Sequence, residues 1–508
     1  MHKILISSNL QEGFVLYEAK SENLLNKLEE LNEGYHLIIL DERIAEQKLD
    51  DEFMIEVSNS HIVHAGLTFL EKDSFFELMK PLVTNWHFLD PTSKTKNFSW
   101  KATSHLCFFK KGVIAALGGF ERCYSSDDAE IADMAYRCLV CGGRVVYMPF
   151  LNNITCISLI STSLEDDLSF ARRHLNVSKI FIFSVFNFLS FRWLSLFKTL
   201  LWQSKQATRK FQKTHLFDYF ASSKVAEIDQ PYTAIIPTIS RYDYLDKAIY
   251  SLLNNSFPPS EIIVVDQTPI SDRRQGFYDE FGTSVKVFFL DEPGQCTSRN
   301  LGIREAKYEL ILLFEDDAEA WPEMIIEHFK VLNTTNAIAS TGISLAPWKD
   351  RSYIPERISF YQNSDVLATG NCLIKKSAIL AVNGLHLAYN RGSGADDDLG
   401  RRLYLAGHEI IFNPFAIETH HKAPMGGMRV HGAFWRNKTK LTQAFPPTTE
   451  LFTFKQYYKK EYYYLKVLYS FISARKRNNF IQYIQMLLLA PLKYGKSVTA
   501  LKKLRATK

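Results

Sequence analysis

Three acids in a row, Glu315-Asp316-Asp317, follow the apolar run Leu310-Ile-Leu-Leu-Phe314. Carboxylates placed directly after a buried strand are costly unless solvated or met by a cation. Their hard oxygens suit magnesium or manganese, which would bridge and neutralise a nucleotide diphosphate. A second acidic run, Asp396-Asp397-Asp398, precedes Leu399 and Arg402. Carboxylates of that kind can take a proton from a hydroxyl. Asp266 ends Glu261-Ile-Ile-Val-Val-Asp266, where an acid can accept hydrogen bonds from a base or ribose. Arg299, within Gly294-Gln-Cys-Thr-Ser-Arg299-Asn300-Leu-Gly302, is available to a diphosphate. Taken singly these signals are weak. Strand-Asp pairs are common, a three-acid run is more often a solvated turn, and a lone His such as His420 is more often structural.

The elements that must position these groups form a parallel α/β pattern. Thr233-Ala-Ile-Ile-Pro237-Thr238 reads as a buried strand ending in a turn, with a helix around 244–253. The strand ending at Asp266 follows, then a loop entering a helix at 294–302, then the strand ending at Phe314. In such sheets ligands bind at the carboxyl ends of the strands. Order and spacing therefore raise the odds that these residues form one site.

The ordered set resembles glycosyltransferase family 2, the inverting GT-A enzymes. The resemblance is carried by Ile-Ile-Pro237-Thr238, Val-Val-Asp266, Arg299-Asn300-Leu-Gly302, Glu315-Asp316-Asp317, Thr369-Gly370-Asn371, Gly394-Ala-Asp396-Asp397-Asp398-Leu399, Arg402 and Pro414-Phe-Ala-Ile-Glu-Thr-His420. It implies that Pro237, Thr238, Asp266, Arg299, Asn300 and Asp316 bind the nucleotide sugar. Asp317 would be the final metal-binding carboxylate, with Glu315 in place of the usual first Asp and His420 as a third ligand. Asp396 would be the catalytic base and Asp397 its fallback, since Ala395 removes an acid from the family pattern. Asn371, Asp398 and Arg402 complete the set on the acceptor side or as support. The loop Lys422-Ala-Pro-Met-Gly426-Gly427-Met-Arg429 could close over the site or be a simple turn.

An internal repeat controls these assignments. Residues 107–150 align without a gap onto 372–415 at an offset of 265, with twelve identities that include Gly119/Gly384, Tyr124/Tyr389, Asp133/Asp398 and Arg137/Arg402. Asp396 faces Ile131, and His420 faces Thr155. Shared residues are those a fold needs, and unshared ones are those chemistry needs. The first copy has only Asp41-Glu42 after its strand 35–40, with too little chain before it for a nucleotide-binding half. Cys138 and Cys141 face Leu403 and Ala406, so they read as core packing rather than a metal or redox pair. The expected fold is α/β, with tandem GT-A (Rossmann-like) modules: a truncated, degenerate one over 1–163, a helical amphipathic linker over 164–230, a catalytic module over 231–445 and a basic helical region over 446–508. Glu130 and Asp133 keep open a first module that is itself active.

At 508 residues the chain is too long for one ordinary core. Residues 455–508 hold thirteen Lys/Arg against Glu461 alone, a net +12 in a chain of net +5. Interleaved with Tyr and Phe, that region suits an anionic surface, or is simply a solvated face. No nucleic-acid motif accompanies it, so membrane is favoured and nucleic acid is not expected. The apolar run 180–202 carries Ser184, Asn187, Arg192, Ser195 and Lys198, and reads as a one-sided helix rather than a span. An odd seven Cys and no signal-like start fit a cytoplasmic protein peripheral to the membrane's inner face. The expected activity moves a sugar from a nucleotide-diphosphate donor, a UDP-sugar above others, to a glycan or lipid-linked acceptor in surface polysaccharide or lipopolysaccharide synthesis, with a divalent cation. Alternatives are two active transferase domains or a non-catalytic sugar- or nucleotide-binding scaffold. A homo-oligomer is also allowed.

Overall fold

The computed structural model describes residues 2–11, 15–42, 49–65, 76, 79, 83, 85–91, 94–149, 162–175, 211–212, 214–217, 230–335, 337–424, 444–474 and 480–506. The apolar run 180–202, Thr155 and the Gly426-Gly427 pair lie outside them. The chain divides into two compact units. One comprises Met1–Ala221 with Phe360–Asn363 and Tyr404–His408, and the other Ser222–Ser359, Ser364–Leu403 and Glu409–Lys508.

The first unit is built on β1 (His2–Ser7), β2 (Val15–Ala19), α1 (Leu24–Asn32), β3 (His36–Asp41), α2 (Asp51–Asn59), β4 (Ile62–His64), β5 (Leu106–Phe109), α3 (Val113–Ala116), α4 (Asp127–Val140), β6 (Val145–Tyr147) and α5 (Leu164–His174). Its sheet runs β2-β1-β3-β5-β4-β6. Ile38, Leu40, Val63, Leu106, Phe108 and Val146 pack from the sheet against Phe53 and Val57 of α2. Cys138 and Cys141 are buried. One expected boundary moves. The linker was to begin at 164, but α5 belongs to this core: Ser163 closes a capping box on it, and Phe170 stacks on Trp100 at 5.3 Å between ring centroids. The burial of Phe170 and Leu168 outweighs the polar look of Glu165-Asp166-Asp167, of which the two Asp are themselves buried.

The second unit holds β7 (Tyr232–Thr238), α6 (Tyr242–Leu253), β8 (Glu261–Asp266), β9 (Val285–Phe289), α7 (Gln295–Glu305), β10 (Leu310–Phe314), β11 (Ala318–Ala320), α8 (Met324–Thr334), β12 (Ala339–Leu345), β13 (Asn371–Lys375), α9 (Lys376–Ala381), α10 (Ala395–Leu405) and β14 (Ile410–His420). The helices α11 (Thr448–Tyr457), α12 (Lys460–Ser473), α13 (Phe480–Leu488) and α14 (Ala490–Ala506) follow. The sheet order is β11-β14-β12-β13-β10-β7-β8-β9. Strands β10, β7, β8 and β9 are mutually parallel, so their carboxyl ends share one edge. β10, β7 and β8 are largely apolar and buried, as strands covered on both faces must be, while the edge strand β9 is partly exposed.

Pairing registers recur between the units. In the first, Cys107 of β5 faces Ile39 and His64, and His64 faces Tyr147; in the second, Cys372 of β13 faces Leu313 and Thr341, and Thr341 faces Phe412. Positions 107/372 and 147/412 keep the offset of 265. The neighbour of β3 differs, however. β1 lies antiparallel to β3, whereas β7 lies parallel to β10. Where the second unit has its parallel β7-β8-β9 edge, the first has the β1-β2 hairpin.

Candidate active site

Two strand ends build the acidic turn. β10 stops at Phe314, the three acids follow, and β11 pairs with the end of β14 so that Ala318 faces His420. That pairing brings His420 to the acids from a distant part of the chain. Its Nδ1 lies 3.4 Å from Glu315 Oε2 and its Nε2 3.7 Å from Asp317 Oδ1. One ligand atom from each of Glu315, Asp317 and His420 falls within 4.8 Å of the others. Burial pushes the Glu315 carboxyl up; Arg299 opposes this, and the charges of Asp317 and Asp396 add to it. Negative charge crowded in a partly dry place is what a divalent cation relieves. Two carboxylates and an imidazole fit magnesium or manganese, with open positions left for phosphate oxygens and water.

Asp316 is used differently. Arg241 Nη1 donates to its Oδ1 at 2.7 Å and Thr238 Oγ1 to its Oδ2 at 2.8 Å. Burial lifts its carboxyl to about 6 against the pull of Arg241. Arg241 also lies 3.4 Å from Asp317, so it ties the acids to the start of α6. Pro237 and Thr238 end β7 beside Val265 and Asp266 of β8. The Asp266 carboxylate is wholly buried and accepts from Tyr242 and Tyr278 hydroxyls at 2.8 and 2.9 Å and from the Thr268 amide at 2.8 Å. The sheet therefore gathers Pro237, Thr238, Asp266 and Asp316 at the strand ends.

Of the loop entering a helix expected over 294–302, nearly all is helix. α7 begins at Gln295, and Arg299 sits inside it, donating to Gln295 O at 3.3 Å with Nη2 3.8 Å from Glu315. The Asn300 side chain is spent on the backbone: it donates to Leu385 O and accepts from Leu385 N, both at 2.8 Å. Asn371 is also turned inward, meeting His328 Nε2 at 2.8 Å and donating to Ala416 O at 3.0 Å. Asn300 thus braces the turn at Leu385, and Asn371 ties β13 to α8 and β14.

Asp396 lies half-buried in the first turn of α10 and accepts from Thr369 Oγ1 at 2.9 Å. Thr369 leads into Gly370, where a Cβ would stand 2.9 Å from Glu315 Cγ. Adjacent residues thus touch Asp396 and the metal-ligand candidate Glu315. Asp397 lies 4.0 Å from Arg401, and burial raises its carboxyl. Asp398 is enclosed: Arg402 Nε donates to one oxygen at 2.9 Å and Tyr457 to the other at 2.7 Å.

The first unit repeats this last arrangement. Arg137 Nε donates to Asp133 at 2.8 Å while Tyr124 donates to the other oxygen at 2.8 Å. Arg137 also binds Leu117 O, as Arg402 binds Val382 O, each twenty residues back. Gly119 and Gly384 follow those turns at φ 77° and 67°, a conformation that favours glycine. At the Asp396 position stands Ile131, fully buried.

Sequence reasoning missed Arg241, the tyrosines on Asp266 and Glu418. Glu418 is fully buried two residues before His420, its carboxylate 4.0 Å from His420 Nδ1 and bonded by Ser344. Burial pushes its carboxyl well up. The matched segment ending at His420 contained it, and an acid inside an otherwise apolar strand was the signal.

A curated relative, "Uncharacterized protein y4gI" of Sinorhizobium fredii, is 23% identical over 224 residues, 38% of this chain, and the chain spans about a quarter (24%) of that relative's length. Among solved structures, Staphylococcus aureus TarS 1-349 aligns over 55% of this chain and 92% of its own at 12% identity and TM-score 0.37. The mannosyltransferase PcManGT from Pyrobaculum calidifontis, in complex with GDP-Man and Mn2+, aligns over 56% and 88% at 13% identity and TM-score 0.34. GalNAc-T7 with UDP, GalNAc and Mn2+ aligns over 39% and 44% at 13% identity and TM-score 0.33. The family model "Glycosyl transferase family 2" matches residues 233–379, which span β7 to α9 and include Asp266, the acidic turn and Thr369. Residues 233–379 are a glycosyl transferase family 2 domain.

Proposed function

We propose that the second unit is an inverting glycosyltransferase that moves a sugar from a nucleotide diphosphate onto a hydroxyl of a glycan or lipid-linked acceptor. The observation that carries this reading is the meeting of Glu315, Asp317 and His420, with Asp396 joined to them through Thr369-Gly370. Glu315, Asp317 and His420 would hold magnesium or manganese, which supplies positive charge against the diphosphate. Thr238 and Asp316 shape the nucleotide pocket, and Arg299, 3.8 Å from Glu315, is a cation available to the diphosphate. Asp266, held by Tyr242 and Tyr278, sets the floor of that pocket. Asp396 takes the proton as the acceptor oxygen attacks the anomeric carbon and the bond to the diphosphate oxygen breaks. Thr369 fixes the orientation of that carboxylate. A UDP-sugar is the donor to try first, and surface polysaccharide or lipopolysaccharide the acceptor class.

The first unit, on this reading, is a degenerate copy without chemistry. In support, it keeps the registers and the Asp133-Arg137 pair but has Ile131 at the base position and a hairpin in place of the β7-β8-β9 edge. The basic residues 455–508 would hold the enzyme at an anionic membrane. The test is nucleotide release across a panel of nucleotide sugars with and without divalent cation. Release that needs one donor and the cation supports the reading, and none across the panel favours a binding scaffold.

A further inference from the structure

Helix α13 presents its apolar side outward. Its buried residue is Met486, while Ile481 and Leu488 are 69% and 76% exposed. At about 100° per residue, Ile481, Ile484, Leu487 and Leu488 fan over one side of the helix, centred opposite Met486. A helix folded against a core shows the reverse pattern. Leu492, at the start of α14, extends the same apolar character at 58% exposure.

The charge around this face limits what can cover it. Residues 455–508 carry thirteen cations against one acid. Among the described residues, Lys496, Lys502 and Lys503 are exposed on α14. A second copy would bring the same positive charge against itself, which opposes pairing. An anionic bilayer complements both the cations and the apolar face. Among the described residues no helix is long and apolar enough to cross a membrane, so the contact lies in the interface.

We propose that α13 is a membrane-inserting helix: Ile481, Ile484, Leu487 and Leu488 enter the boundary between headgroups and acyl chains, and the exposed lysines of α14 meet anionic headgroups. This rests on the membrane reading above but not on the transfer chemistry, and it adds insertion to attraction. Charge alone fails in high salt, whereas buried apolar surface does not.

The test is flotation of the full chain with phosphatidylcholine vesicles, with or without phosphatidylglycerol, at about 0.1 M and about 1 M salt, where the screening length falls from about 10 Å to about 3 Å. The parent should float with anionic vesicles and keep a salt-resistant fraction. Ile481→Glu with Leu488→Glu should cut binding about tenfold or more and abolish that fraction. Lys496→Gln, Lys502→Gln and Lys503→Gln together should weaken only the low-salt binding to anionic vesicles. Ile481→Trp should strengthen binding. Unchanged thermal unfolding of each variant shows that the fold is kept, and nucleotide release without vesicles, measured in parallel, should not move; its absence in the parent would fault the transfer reading alone. Parental flotation by the Ile481→Glu/Leu488→Glu variant at both salts would overturn insertion. So would a parent that does not float but forms a dimer, in sedimentation velocity, that this variant abolishes.

Discussion

Thr369 Oγ1 donates a 2.9 Å hydrogen bond to Asp396 Oδ1. Because Thr369 is buried and enters β13, the bond fixes the one carboxylate of the second acidic run that neither an arginine nor a tyrosine already holds in the described contacts. Thr369→Val should lower kcat about tenfold or more, the scale of one hydrogen bond to a charged group, and leave thermal stability little changed. Thr369→Ser should restore most of the rate. A kcat for the Val variant equal to the parent's would remove Thr369 from the mechanism.

Gly370 tests the proposed metal site without replacing a ligand residue. A Cβ there would stand 2.9 Å from Glu315 Cγ and 3.0 Å from Cδ, closer than contacting carbons allow. The Glu315 carboxylate must then shift. Gly370→Ala should raise the divalent-cation concentration needed for half-maximal nucleotide release by about tenfold, while excess cation recovers much of the rate. An unchanged cation requirement would place Glu315 outside the metal shell.

Acid should weaken the fold through buried histidines. Burial lowers His61, His64 and His328 to about 4; Lys110 and Arg144 add to this at His61, and hydrogen bonds to Ser99 and Asn371 oppose it at His64 and His328. The unfolded chain, with an ordinary value near 6.5, therefore takes up protons first as pH falls. The stability is present above about pH 6.5 and is lost progressively toward pH 4, on the order of 3 kcal/mol per histidine. Urea unfolding at pH 7.5 and pH 5 measures it, and His328→Gln should flatten the slope in the second unit's transition.

The Arg137-Asp133 pair is wholly buried, at 2.8 Å. Arg137→Met leaves the Asp133 carboxylate with fewer donors in a dry place, which should cost about 3–5 kcal/mol of first-unit stability. Nucleotide release at low temperature should stay near the parent's. A proportional loss of release would mean that the first unit takes part in the chemistry.

What the sequence revealed follows from how far each signal reaches along the chain. Glu315-Asp316-Asp317, weak as a lone acidic run, stood out through its order and spacing after the strand ending at Asp266 and the segment holding Arg299. His420 was legible from the matched segment ending there, and the β11-β14 pairing explains how it arrives. Arg241 was not legible: one arginine before a helix reads as solvated until Asp316 is placed beside it. Tyr457 reaches Asp398 from a region whose charge and interleaved aromatics were read as suiting an anionic surface. Asn300 was given to the nucleotide sugar only through the family resemblance, and helix α7 aims its side chain at the Leu385 backbone. The boundary at 163 failed similarly, since acidic residues at the start of α5 concealed the burial of Phe170.

The central claim is that Asp396 is the base of a transfer reaction in the second unit. Nucleotide release by Asp396→Asn, with the preferred donor, acceptor and cation, tests it most directly. The account predicts a loss of about a thousandfold in kcat with donor binding and thermal stability retained. Turnover close to the parent's in a folded, donor-binding Asp396→Asn protein would contradict it.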